Sequence, residues 1–177
     1  MQSNLSQASR VVSTRGFTLI EMMTTLTVLA VIMVIAVPSL SGLVRSSKVR
    51  SAQSELVASL MLARSEAAKR GVMVGVAASA AVAGSEFSKG WTVWVDANED
   101  GVVDSTELVI RSYPALGAAV VLGTTGNITR LAFAATGFLA PATAVNFKAC
   151  GASDTTKGFT VRLDPVGLAD IKEVACP

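Results

Sequence analysis

The residues best suited to bind a ligand form one acidic stretch near the middle of the chain, from Asp96 to Glu107. Oxygen-bearing side chains stand at its first, third, fifth, ninth and twelfth positions, with glycine sixth and a backbone carbonyl available at the seventh: Asp96, Asn98, Asp100, Asp104, Glu107, Gly101 and Val102. A twelve-residue calcium loop has this pattern, because a hard cation gathers about six or more oxygens around one point. The stretch therefore predicts a calcium site. The alternative is a solvated acidic turn built on Asp100 and Gly101.

Enzymatic chemistry finds little support in the composition. The chain has no histidine, which removes the commonest general base and transition-metal ligand. Serine and threonine residues have no visible base, and carboxylates on an exposed loop lack the burial that would separate their pKa values. We therefore expect a protein that is not an enzyme and requires no cofactor, with calcium as the one candidate ligand.

A second notable carboxylate stands at the start of a long apolar run. No charged residue occurs from Met22 to Val44, and at about 1.5 Å per residue this run is long enough to cross a bilayer core of about 30 Å. We therefore predict a transmembrane helix over 17–44, with Glu21 inside it or at its edge. A carboxylate at the centre of such a helix costs about 2.5–3.5 kcal/mol, so Glu21 needs a partner.

No basic residue follows Glu21 closely in the sequence, so the partner must come from elsewhere. A cut between Gly16 and Phe17 would create an α-amine four residues before Glu21. In an assembly, that amine could meet the Glu21 carboxylate of another subunit. The alternative is an ordinary signal peptide or a simple anchor, in which Glu21 is a tolerated polar residue.

The run Gly16-Phe-Thr-Leu-Ile-Glu21 before an uncharged segment resembles the type IV pilin and type II secretion pseudopilin superfamily. The resemblance implies that a prepilin peptidase removes a leader over 1–16 and methylates the new N-terminal Phe17. It also implies that Glu21 acts in filament assembly. Pro38 lies where the family often kinks its helix, and the hydrogen bond lost at Pro38 and the low helix propensity of Gly42 both favour a bend there.

Apolar residues then continue at three- and four-residue steps, which predicts an amphipathic helix over 45–70 that ends at Gly71. Its expected buried stripe is Val49, Ala52, Leu56, Leu60, Ala63 and Ala67. Short alternating runs after it predict a β-rich head over 71–177. The predicted strands are 72–77, 91–95, 108–113, 119–122, 129–134, 145–149, 159–163 and 171–176, with a loose loop over 78–88.

These elements predict an α+β fold, in which a long N-terminal helix packs on a mainly antiparallel β-sheet head. The acidic loop then caps a hairpin instead of joining the paired helices of an EF-hand. Trp91 and Trp94 have the odd spacing that places them on opposite faces of one strand. We expect one of them in the core, and the other either under a loop or in contact with a partner.

The two cysteines, Cys150 and Cys176, both lie near the C-terminus. In a chain with an export segment they predict one disulfide in an oxidising compartment. Two buried free thiols are the alternative.

The strand-rich head, the run from Gly90 to Asp96 and the C-terminal cysteine pair resemble the FimT/FimU minor pilins, whose domain is related to that of the GspH pseudopilin. The resemblance implies a minor type IV pilin that primes or joins pilus assembly near the filament tip. Its implied partners are other pilins or pseudopilins, the prepilin peptidase and the bacterial inner membrane, which it crosses once with its head in the periplasm. A GspH-like pseudopilin of type II secretion and a secreted calcium-binding domain are the alternatives.

Some FimT-like members bind DNA in natural transformation through arginines in a loop between the cysteines. The corresponding segment here, 166–170, has no arginine, and the cations near it are Lys148, Lys157, Arg162 and Lys172. The formal net charge is +2, and Arg10 and Arg15 of the leader account for it. Because phosphate binding needs several cations on one surface, DNA binding is the minority interpretation.

Overall fold

The computed structural model describes residues 16–152 and 157–176, without the side chains of Ile35, Val37, Pro38 and Ser39. The predicted leader, apart from Gly16, therefore lies outside the described residues. The chain divides into two compact units, with the boundary between Leu40 and Ser41. The described elements are α1 (Leu19–Arg70), β1 (Val74–Ala78), a 3₁₀ helix (Glu86–Lys89), β2 (Trp91–Val95), β3 (Val109–Tyr113), β4 (Val120–Thr124), β5 (Arg130–Phe133), β6 (Leu139–Ala140), β7 (Val145–Gly151), β8 (Gly158–Leu163) and β9 (Ala169–Val174).

The second half of α1 buries the stripe that its sequence spacing predicts. All six residues of that stripe are buried: Val49, Ala52, Leu56, Leu60, Ala63 and Ala67. The helix ends as expected at Gly71, which has a φ of 68° and donates its N–H to the Ala67 carbonyl. Arg70 pairs with Glu66 in the last turn, where positive charge complements the helix dipole.

The first half of α1 presents its side chains to solvent. Every described large apolar side chain from Phe17 to Val44 is exposed. Within the described residues, however, hydropathy identifies no helix that is both long and apolar enough to cross a membrane. The transmembrane helix over 17–44 stays a prediction. The bend expected at Pro38 and Gly42 also stays a prediction, since α1 is assigned without a break through both positions.

The head contains two antiparallel sheets. The five-stranded sheet has the order β3-β2-β1-β5-β6, and the four-stranded sheet has the order β4-β7-β8-β9. Every strand pairing among the described residues is antiparallel, as the frequent turns predict. The sequence did not predict β6, because two residues are too short to show a period.

The loose loop predicted over 78–88 is wrong in its second half. A 3₁₀ helix begins at Glu86, and Glu86 and Phe87 are both fully buried. The Phe87 ring meets the Phe147 ring edge-on at 5.2 Å between centroids. Small residues dominate the segment, and a single aromatic residue among them gives no periodic sequence pattern. Phe87 nevertheless anchors the segment in the core.

Both tryptophans are completely buried, so the alternative that one of them contacts a partner is wrong. Trp91 stacks on Tyr113 with ring centroids 5.0 Å apart and donates its indole N–H to the Ser59 hydroxyl at 2.9 Å. Trp94 lies over Gly75 of the neighbouring strand β1, where a Cβ would come within 2.3 Å of its ring. The missing side chain at Gly75 therefore makes the room for the indole.

The predicted disulfide between Cys150 and Cys176 is present, and the alternative of two free thiols is wrong. It joins β7 to the C-terminal end of the chain across a sequence separation of 26 residues. A cross-link over such a loop stabilises by roughly 3–4 kcal/mol when its effect is to restrict the unfolded chain.

The contact between Ser59 and Trp91 allows a matched test of how α1 packs on the head. Ser59→Ala leaves the buried Trp91 N–H without an acceptor, so we expect the free energy of unfolding to fall by about 1–3 kcal/mol. Ser65 on the same helix also donates its hydroxyl to the carbonyl three residues earlier but is exposed. Ser65→Ala is therefore the control, with an expected change within about 0.5 kcal/mol in urea unfolding. Equal losses in both variants would contradict this packing.

Candidate functional site

The predicted processing site lies at the start of the described chain. Gly16 and Phe17 precede α1, which begins at Leu19, and both are exposed. The Phe17 side chain is 76% exposed. Cleavage between Gly16 and Phe17 stays a prediction.

Glu21 has a local partner that the sequence analysis missed. Its backbone N–H donates to the Thr18 hydroxyl at 3.3 Å, and the Thr18 N–H donates to its carboxylate at 3.5 Å. These reciprocal bonds form a capping box, whose signal is a threonine followed three residues later by glutamate. Glu21 therefore caps its own helix within a single chain, and this role must be separated from any role in assembly.

The acidic loop caps a hairpin, as its flanking segments predict. β2 and β3 are antiparallel neighbours, and the Val95 N–H donates to the Leu108 carbonyl at 2.9 Å. This pairing places Asp96 and Glu107, the first and last residues of the loop, side by side. The Ala97 N–H then donates to the Glu107 carboxylate at 3.0 Å and closes the loop.

Inside the loop, side-chain oxygens accept hydrogen bonds from backbone N–H groups. Gly101 donates to Asp96 at 3.0 Å, and Val102 donates to Asp100 at 2.7 Å. Asn98 accepts from the Asp100 N–H at 3.3 Å, and Glu107 accepts from the Asp104 N–H at 3.1 Å. Asn98, Asp100 and Asp104 are exposed to solvent, whereas Asp96 is only 1% exposed.

Asp96 is the most deeply buried of the loop acids. Burial raises the pKa of its carboxyl, the Gly101 hydrogen bond opposes that effect, and the nearby Glu107 and Asp100 carboxylates reinforce it. Its Oδ1 atom is buried without a hydrogen-bond partner, and so is the Trp94 indole nitrogen. Both residues line one cavity of about 330 Å³, together with Asp100 and Arg130.

The arrangement does not by itself confirm the predicted calcium site. Among the residues that the structure describes, no three histidine, cysteine, aspartate or glutamate side chains are gathered closely enough to hold a metal ion. The loop oxygens instead accept hydrogen bonds from backbone N–H groups and, at Asp100 and Asp104, from the Asn98 amide. Calcium binding by Asp96, Asn98, Asp100, Val102, Asp104 and Glu107 therefore stays a prediction.

Two of the four cations named near the 166–170 turn form local ion pairs. Arg162 pairs with Asp164 at 3.0 Å, and Lys172 pairs with Asp170 at 3.2 Å. Each pair is substantially exposed, and each acid offsets the charge that a phosphate would need. This geometry gives no support to DNA binding at that turn.

Arg64 and Glu86 form hydrogen bonds between distant parts of the fold that the sequence analysis did not identify. The Arg64 guanidinium donates to the carbonyls of Gly137 and Gly167, each at 3.1 Å, and so ties α1 to a turn after β5 and a turn after β8. The buried Glu86 carboxylate accepts from the N–H groups of Gly84 and Thr124. No sequence signal identifies Glu86, whereas Arg64 could be noticed as a charge beside the buried stripe of α1.

Comparison with known proteins gives two family matches and three similar structures. The type II transport protein GspH family matches residues 52–167, and the prokaryotic N-terminal methylation motif matches residues 13–37. No curated protein sequence matches the chain significantly.

Two crystal structures of the type IV minor pilin FimU from Pseudomonas aeruginosa PAO1 share 24% sequence identity with this chain. Their TM-scores are 0.59 and 0.56; they cover 75% and 72% of this chain, and 97% and 99% of their own. The minor pseudopilin EpsH from the type 2 secretion system of Vibrio cholerae is 12% identical with a TM-score of 0.51, covering 72% of this chain and 97% of its own.

The structural likenesses establish a fold shared with a minor pilin and a minor pseudopilin. The methylation motif includes Gly16, Phe17 and Glu21, the residues on which the superfamily resemblance rests. The GspH match spans well over half of the chain, including most of the head and the buried half of α1. The protein therefore belongs to the GspH family of type II transport proteins and carries the prokaryotic N-terminal methylation motif.

Proposed function

We propose that this protein is a minor filament subunit of the FimT/FimU type, which primes or joins a type IV pilus near its tip. A prepilin peptidase cuts after Gly16 and methylates Phe17. Before assembly the subunit is held in the bacterial inner membrane with its head in the periplasm. The methylation motif over 13–37 and the fold shared with FimU support this proposal.

The observation that carries the proposal is the uncovered apolar surface of α1. Large apolar side chains are exposed at eleven of the sixteen positions from Leu19 to Val34, and again at Leu40, Leu43 and Val44. Soluble monomers rarely leave a continuous apolar patch of that extent in water. The surface therefore needs cover, which a membrane supplies before assembly and neighbouring pilin helices supply in a filament.

Glu21 then has two separable roles. In the single chain it completes the capping box with Thr18. In the filament its charge pairs with the N-terminal amine of a neighbouring Phe17, because a carboxylate in apolar surroundings is costly without a partner. A glutamine at this position preserves the first role and removes the second.

The mature N-terminus is the direct test of processing. We expect intact-mass and N-terminal peptide analysis of the native protein to show a chain that begins at a methylated Phe17. A chain that begins near Ser39 would instead indicate conventional signal peptidase and favour the secreted calcium-binding domain. A chain that retains the first sixteen residues would contradict the proposal.

Variants at Glu21 test assembly. We expect Glu21→Gln and Glu21→Ala proteins to be made and retained in the membrane but to be absent from sheared filaments, because both lack the charge. Thr18→Ala is the control: it removes the capping hydroxyl, at a cost of about 1 kcal/mol, but keeps the charge, so filament levels should remain near those of the parent protein. Immunoblots of membrane and filament fractions measure both quantities.

A different pattern of filament levels among these variants would contradict charge pairing. If Glu21→Gln enters filaments at parental levels while Glu21→Ala and Thr18→Ala do not, Glu21 acts only as a helix cap. Charge pairing between subunits would then be excluded.

A GspH-like pseudopilin of type II secretion is the second candidate, and the family match over 52–167 favours it. Deletion of the gene in its own host separates the two. Loss of twitching motility with normal exoprotein secretion is the result that we expect from a minor pilin. Loss of secretion with normal motility would show a pseudopilin, and re-expression of the intact gene controls for effects on neighbouring genes.

A further inference from the structure

We infer that the hairpin loop from Asp96 to Glu107 is a calcium site in which paired strands replace the helices of an EF-hand. The proposed ligands are the side-chain oxygens of Asp96, Asn98, Asp100, Asp104 and Glu107 and the carbonyl of Val102. This inference concerns the head alone and does not depend on the proposed filament role.

The strands hold the two ends of the loop together. Because the Val95 N–H bonds to the Leu108 carbonyl, the strand ladder itself makes Asp96 and Glu107 neighbours. In a twelve-residue calcium loop the first and last residues are both ligands. The β2–β3 ladder therefore performs the closure that two packed helices perform in an EF-hand.

The Asp96 carboxylate supplies the independent observation that points to a ligand. It is directed across the loop, since its Oδ2 atom accepts the Gly101 N–H at 3.0 Å. Its Oδ1 atom is buried and has no partner, although the residue is only 1% exposed. An unpartnered carboxylate oxygen in this position is costly, and a bound cation would satisfy it.

Glu86 is a second buried carboxylate, and the protein's own N–H groups provide hydrogen bonds to both of its oxygens. Glu86 is equally buried, yet both of its oxygens accept hydrogen bonds, one from the Gly84 N–H and the other from the Thr124 N–H. Asp96 differs because one of its two oxygens is left over. One acceptor atom of Asp96 is therefore available to a ligand of the loop.

The remaining ligands can move to an ion at little cost. Asn98, Asp100 and Asp104 are exposed, and none of the loop acids forms an ion pair with a described basic side chain. The Asn98 amide donates to the carboxylates of Asp100 and Asp104, at 3.0 and 3.3 Å, so these three candidate ligands already lie close together. Arg130 donates to the Gly101 carbonyl of the loop at 3.0 Å and forms no described ion pair with the loop carboxylates.

The charge and number of the ligands favour calcium over magnesium. A set of several carboxylates, an amide and a backbone carbonyl offers many oxygens on a flexible loop, whereas magnesium prefers a rigid octahedron and retains its waters. An exposed loop of this type is expected to bind with a dissociation constant of about 0.1–1 mM, the range of extracellular calcium modules.

Terbium luminescence tests the site because Trp94 lines the same cavity as Asp96 and Asp100. Terbium(III) takes oxygen ligands as calcium does, and a nearby indole transfers excitation energy to it. The full-length protein, purified in detergent, is titrated with terbium under tryptophan excitation. We expect a saturable signal that millimolar calcium removes and that equal magnesium leaves largely intact.

Two variants that each remove one negative charge distinguish coordination of calcium from nonspecific electrostatic attraction of calcium to the acidic loop. Asp100→Asn and Glu99→Gln each remove one negative charge from adjacent exposed positions, but only Asp100 occupies a ligand position. We expect Asp100→Asn to weaken calcium competition at least about tenfold and Glu99→Gln to change it less than about threefold, since affinity follows the charge of the ligands. Circular dichroism confirms that both variants fold.

Two results would overturn the inference. One is the absence of a calcium-sensitive terbium signal at millimolar calcium in the folded parent protein. The other is an equal loss in both variants, which would show diffuse attraction to an acidic surface. Calcium should also raise the melting temperature of the parent protein and not that of Asp100→Asn, which gives a readout independent of luminescence.

Discussion

Burial of one apolar stripe on α1 is the interaction on which the head depends. The stripe shares a single core with residues of both sheets, among them Val93 of the five-stranded sheet and Phe147 of the four-stranded sheet. Leu56 and Leu60 are completely buried, and each such side chain contributes about 1.5–3 kcal/mol relative to an exposed one. Each sheet has one face to cover, and the same helix takes part in covering both.

Specific polar contacts fix how the helix lies in that core. The Trp91 indole reaches Ser59, and the Arg64 guanidinium reaches the carbonyls of Gly137 and Gly167. Apolar packing tolerates small displacements, whereas a buried donor left without its acceptor costs about 1–3 kcal/mol. Gly167 has a φ of 77°, and a Cβ there would lie 2.8 Å from the Gly137 carbonyl oxygen, so this junction admits only glycine without rearrangement.

Carboxylates show how one residue type takes different roles according to its surroundings. Glu21 is exposed and caps a helix, Glu86 is buried and accepts backbone hydrogen bonds, and Asp96 is buried with one oxygen unpartnered. The first role is visible in the spacing to Thr18. The other two depend on which backbone groups the fold brings to the carboxylate, and no local pattern records that.

The sequence by itself determined the features that arise from local periodicity and spacing: the stripe of α1, its end at Gly71, most of the strands, the hairpin under the acidic loop, and the processing motif at Gly16 and Phe17. These follow from interactions between residues close in the chain. Only the tertiary structure decided that Trp94 is buried, that Phe87 anchors a segment of small residues, and that Asp96 keeps one unpartnered oxygen. Each of these depends on which distant groups meet in the core, because burial and hydrogen-bond satisfaction are properties of the packed chain and not of a sequence window.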